Sequence, residues 1–180
     1  MLDLLPVFAQ RFDAFEGMLR SSNSATATLE QWMAQAESCP RHTLRARPVE
    51  CEPQPASSQQ RAHLKVSEDA QVQYRRVELV YDDLVLSTAE NWYVPSRLTA
   101  DMRDALADGT RPFGRVIEEL APRREMLSSE RLWVIGSATE TLADPPEHIL
   151  RFQALVVTRD GVPICEVNEL YTRAIVTFAA

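Results

Sequence analysis

The stretch LRFQALVVTRDGVPICEVNELYTRAIVT, residues 150–177, decides the fold class. Two β-prone runs, 150–158 and 163–177, flank Arg159-Asp160-Gly161, and Asp-Gly between such runs is a strong hairpin signal. A second pair of runs, 72–81 and 84–94, is joined by Asp82-Asp83 and stopped by Pro95, which predicts another hairpin. Strand-like segments at 43–49 and 131–138 extend the set. Upstream the period changes. Leu4, Leu5, Phe8, Phe12, Phe15, Met18 and Leu19 recur at helical spacing over 4–20, with Pro6 tolerated in the first turn. Residues 21–24 form a turn with N-cap chemistry, and a second helix follows through Leu29, Trp32 and Met33. Short helices are expected at 99–107 and 113–120, and a loop over 50–60. Helices first, then mostly antiparallel strands with helical insertions, predict an α+β fold rather than alternating βαβ units.

The 180 residues fit one domain spanning 1–180. The composition is that of a soluble protein, 45% hydrophobic and 25% charged, with a net charge of −7. Five scattered glycines exclude a G-x-G-x-x-G turn or a Walker loop, which need clustered glycines to bring backbone N–H groups to phosphates. Cys39, Cys51 and Cys165 form no C-x-x-C pair, and His42, His63 and His148 lack metal-ligand spacing, so no metal site is expected. There is no signal peptide and no membrane-length apolar run, and the acidic balance argues against nucleic acid. A reduced, cytoplasmic protein with no nucleic-acid or membrane partner is expected. Basic residues are 18 arginines and the single Lys65.

The informative residues are charges inside apolar strands. Period-2 alternation puts Cys165, Val167, Glu169 and Tyr171 on one face of the last strand, so Glu169 shares an apolar face and must be paired, hydrogen-bonded or protonated. Arg75 and Arg76 are adjacent and point to opposite faces. One of them turns inward, where it would want an anionic partner: Glu169 or a ligand carboxylate. Alternation leaves the choice open, since Arg76 goes with Val72, Tyr74, Glu78 and Val80, and Arg75 with Val77, Leu79 and Tyr81.

Several short motifs then occur in order. They are Ser24-Ala25-Thr26-x-x-Leu29-Glu30, Arg76-x-x-Leu79-Val80, a strand closing at Val94-Pro95, Arg111-Pro112-Phe113-Gly114-Arg115, and Asn168-Glu169-Leu170. Together they resemble the chorismate pyruvate-lyase family, which makes 4-hydroxybenzoate for ubiquinone. The resemblance implies an antiparallel sheet with helical flaps over an internal aromatic-acid pocket. It selects Arg76 as the carboxylate clamp, gives Phe113, Gly114 and Ala25 as pocket residues, and makes Glu169 the acid or base near the ring hydroxyl. Pyruvate would leave chorismate by elimination, with no cofactor. Two departures stand out. Ala25 occupies the place of the family's flap methionine, and 124–149 is long and polar, with an apparent insertion at Ala143-Asp144-Pro145-Pro146; together they imply a wider pocket or a different ligand.

The same fold serves as the ligand-sensing (UTRA) domain of bacterial transcription regulators, so a non-catalytic binder of an aromatic carboxylate is the alternative to a lyase. A relative that keeps the fold without catalysis is a third reading. The first ~70 residues read as helix and flap with no basic recognition helix, which favours the enzyme.

Overall fold

The computed structural model describes residues 4–35, 43–133 and 145–178. Cys39, His42, most of the strand expected at 131–138 and the start of the apparent insertion, Ala143-Asp144, lie outside the described residues. The described chain is α+β, as the order of helices and strands implies. Its sheet is six-stranded and antiparallel, in the order β1-β2-β3-β6-β5-β4. The strands are β1 (Arg45–Pro48), β2 (Gln73–Tyr81), β3 (Leu84–Tyr93), β4 (Arg123–Arg131), β5 (His148–Val157) and β6 (Pro163–Thr172).

Both expected hairpins form. Asp82 takes a φ of 52° and Gly161 a φ of 80°, the left-handed backbone that two tight turns require. The helices are α1 (Leu5–Ser21), α2 (Ala25–Ala34), α3 (Ser58–Leu64), α4 (Ala100–Ala107), α5 (Phe113–Val116) and α6 (Ala174–Thr177). The helical spacing of α1 delivers Phe8, Phe12, Phe15 and Leu19 to the core. There they meet Leu29, Trp32 and Met33 of α2 and the sheet residues Val77, Leu79, Phe152, Val167 and Tyr171. Phe15 contacts both Trp32 and Tyr171 edge-on, with ring centroids 5.4 and 5.2 Å apart.

The other sheet face is covered by α3. Leu64, Trp92, Val94, Leu155 and Val157 form a second cluster there. This corrects the expected 50–60 loop: its end enters α3 through a capping box between Ser57 and Gln60. The last strand stops at Thr172 instead of 177, and α6 follows. Strand β4, over Arg123–Arg131, was not expected: its burial does not alternate, so no period-2 pattern marks it. Arg131 and Arg20 converge on the buried Glu16, which ties α1 to β4.

Candidate functional site

Beneath α2 and α5 lies a cavity of about 50 Å³ on the α1/α2 side of the sheet. Its floor is Val77 and Leu79 of β2, Ala89 and Asn91 of β3, Val156 of β5, and Val167 and Glu169 of β6. Its roof is Asn23–Thr26 at the start of α2, with Phe113, Gly114 and Ile117 around α5. Local chemistry explains both roof segments. Ser24 caps α2 by accepting from the Ala27 N–H at 3.2 Å, leaving the N–H groups of Ala25 and Thr26 without intrahelical acceptors. Gly114 meets α2 so closely that a Cβ there would sit 2.9 Å from Thr26 Oγ1 and 3.3 Å from Ser24 Oγ. The flaps are also joined by an ion pair between Arg115 of α5 and Glu30 of α2. Ala25 was expected to widen the pocket; in the structure the space is small, with Phe113, Ile117 and Pro122 around it.

Glu169 is buried, as alternation requires, and its partner is Arg124 of β4. The two side chains are only 5% and 6% exposed. Tyr171 Oη donates to the same Glu169 Oε2 at 3.0 Å, and the Arg124 guanidinium stacks 5.1 Å over the Phe152 ring. Burial, then the Glu169 charge, pushes the Tyr171 phenol well up, so it stays a donor. Burial works against the charge of Arg124, but Glu169 and Tyr171 together outweigh it and the guanidinium is held charged. Only Nη2 of Arg124 is used on Glu169; Nη1 is buried without a partner. Asn91, also lining the cavity, has a buried and unpartnered Oδ1.

The structure does not bring Arg76 to this cavity. Arg76 is exposed and shares its face with the α3 side of the sheet, whereas Val77 and Leu79 line the cavity. By parity the inward arginine is Arg75. Its Nη2 donates to the carbonyls of Gly109 (2.8 Å) and Arg111 (2.6 Å), steadying the loop that leads into α5. Of the residues named from the sequence, Glu169, Phe113, Gly114 and Ala25 meet at the cavity and Arg76 does not. Arg124 was missed because β4 shows no alternation to mark an inward side. Asn91 carried a usable signal, an amide that alternation puts on the same strand face as Ala89 and Tyr93. Among the described residues no cluster of His, Cys, Asp or Glu could hold a metal ion, and no helix is long and apolar enough to cross a membrane.

Fold and site together define an α+β domain of the chorismate lyase-like class, built around a flap-covered cavity with a buried arginine. The chain is 33% identical over 174 residues to the uncharacterized protein y4mC of Sinorhizobium fredii, a match spanning 90% of this chain and 73% of that protein, and it belongs to the same family. No family model matches the sequence. Among solved structures, the effector domain of PhnF from Mycobacterium smegmatis is similar at a TM-score of 0.55 and 15% identity, over 83% of this chain and 88% of that domain. A second structure, of PhnF from the same organism, gives 0.55 at 16% identity over 84% of this chain. A possible transcriptional regulator, YydK of Bacillus subtilis, gives 0.51 at 13% identity over 79% of this chain. The matched region is 64% of the length of each of these two proteins.

Proposed function

We propose that the chain is a non-catalytic sensing domain for a small organic anion, with aromatic carboxylates as the first candidates. The carrying observation is the guanidinium of Arg124, which lines the cavity together with Ser24, Ala25 and Thr26 and whose Nη1 is buried without a partner. A carboxylate there takes one arm of the arginine fork and the N–H groups of Ala25 and Thr26, where the helix dipole also favours negative charge. The apolar floor receives the rest of the ligand.

A lyase mechanism is less well served. The clamp it requires, Arg76, faces away, and Glu169 Oε2 already accepts from Arg124 and Tyr171. Acid or base work by Glu169 would have to displace those contacts. The likeness to a PhnF region described as an effector domain supports the same reading. The present space is about a third of the ~150 Å³ that holds benzene, so an aromatic acid enters as α2 and α5 part and then close over it.

The test is calorimetric titration with 4-hydroxybenzoate, alongside incubation with chorismate and an assay for pyruvate. Saturable binding without pyruvate release is expected. Binding should persist in Arg76→Ala and weaken in Arg124→Lys, which keeps the charge beside Glu169 but removes the second arm. Release of pyruvate would establish a lyase instead, and absence of binding would remove the anion site.

A further inference from the structure

We propose that Asn91 determines the specificity of this cavity, and that the ligand carries a hydrogen-bond donor, a hydroxyl or N–H, at the end remote from its acidic group. The proposal rests on the ligand-binding reading above and narrows the class of ligand.

Asn91 is 3% exposed on β3, lines the cavity, and holds Oδ1 buried with no partner. Buried side-chain acceptors are nearly always satisfied, so an orphan facing a cavity calls for a missing partner. The amide's orientation is fixed by its other neighbour. Nδ2 lies 3.7 Å from Cys165 Sγ, and that thiol donates its own proton to the Glu166 carbonyl at 3.3 Å. Burial pushes the Cys165 thiol up, which keeps the proton on sulfur. With its proton committed to Glu166, the sulfur can only accept. The amide N–H therefore belongs on the sulfur side, and the cavity is offered an acceptor. Arg75, the cross-strand neighbour of Asn91, spends Nη2 on the Gly109 and Arg111 carbonyls; its Nε and Nη1 are buried and unpartnered as well, and no hydrogen bond from either reaches Oδ1.

The register relates Asn91 to Glu169, the carboxylate that holds the Arg124 guanidinium. Ala89 pairs with Glu169, which holds Arg124, while Asn91 pairs with Val167. The two polar positions are thus one two-residue step apart along the strands, about 7 Å. Ala89, Val167 and Val77 make the surface between them apolar. A matching ligand has an acidic group, an apolar body a few atoms long and a terminal donor. A ligand of the same shape without the donor would seal Oδ1 away from water unpaired, and a site built to bond a hydroxyl discriminates strongly against such an analogue.

Two isosteric probes test this on the full chain: 4-hydroxybenzoate and 4-methylbenzoate, titrated into wild type and Asn91→Leu. Wild type should bind the hydroxy acid about 10- to 100-fold more tightly, and 4-aminobenzoate should behave like it. Asn91→Leu should abolish or invert that preference while its melting temperature stays level or rises, because the substitution removes an unsatisfied amide. Equal wild-type affinities would overturn the role of Asn91 while leaving the cavity as a binding site. A preference kept by folded Asn91→Leu would do the same. If neither probe binds, the ligand-binding reading falls and takes this proposal with it. The wild-type pair decides the matter even where the variant does not fold.

Discussion

Glu166 and Glu169 are both buried carboxylates on β6, three residues apart and therefore on opposite faces of the sheet. Their surroundings differ in kind. Glu166 is met by His63 of α3, Nδ1 to Oε2 at 2.7 Å, in a face packed with Leu64, Trp92 and Leu155. His63 keeps 30% of its side chain in water. Nearby, Tyr74 Oη and Asn168 Nδ2 both bond Glu90, at 2.8 and 3.0 Å. Those pairs join α3 and the strands, and neither carboxylate lines the flap-covered cavity. Glu169 is met by a fully enclosed arginine with a spare donor, beside a void, under two flaps. Burial of a charge is thus common to both faces; what separates a site from a brace is an unused hydrogen-bonding group at a cavity.

The largest effect should come from Arg124→Met. It leaves Glu169 buried without its counter-charge, which costs about 3–5 kcal/mol, and denaturant unfolding measures it directly. The double variant Arg124→Met/Glu169→Leu should recover much of that loss, since the pair together is replaceable by apolar groups. Next is Gly114→Ala. A Cβ facing Thr26 Oγ1 at 2.9 Å forces α5 off α2, at an overpacking cost of about 1–3 kcal/mol, and weakens ligand binding as well. His63→Ala, on the opposite face, should cost about 1–2 kcal/mol, because Glu166 is buried but His63 is 30% exposed and its removal admits water to the carboxylate. It should leave ligand affinity unchanged. Smallest is Arg76→Ala, within about 0.5 kcal/mol in stability and without effect on binding, as for an exposed side chain away from caps and cavities. A His63 variant as damaging as the Arg124 variant would erase the contrast between the faces.

Much of this was legible in the sequence because two periods are clean. Helical spacing placed the α1 phenylalanines, and alternation on β6 placed Glu169 on the core face with Tyr171. Motif order carried Ala25, Phe113 and Gly114 to the cavity roof. Alternation left Arg75 and Arg76 open and the motif offset chose Arg76; the structure turns Val77 and Leu79 to the cavity, which makes Arg75 the inward residue. Arg124 left no trace, since β4 is mostly exposed, carries a register shift between Met126 and Ser128, and shows no apolar alternation. Its inward turn is set by tertiary pairing with Glu169, which no local pattern encodes.

The most direct test of the central claim is a crystal structure of the chain bound to 4-hydroxybenzoate. The account predicts the carboxylate against Arg124 Nη1 and the N–H groups of Ala25 and Thr26, with α2 and α5 closed over an intact ligand. A ligand seated on the exposed face at Arg76, with the cavity unchanged, would contradict it.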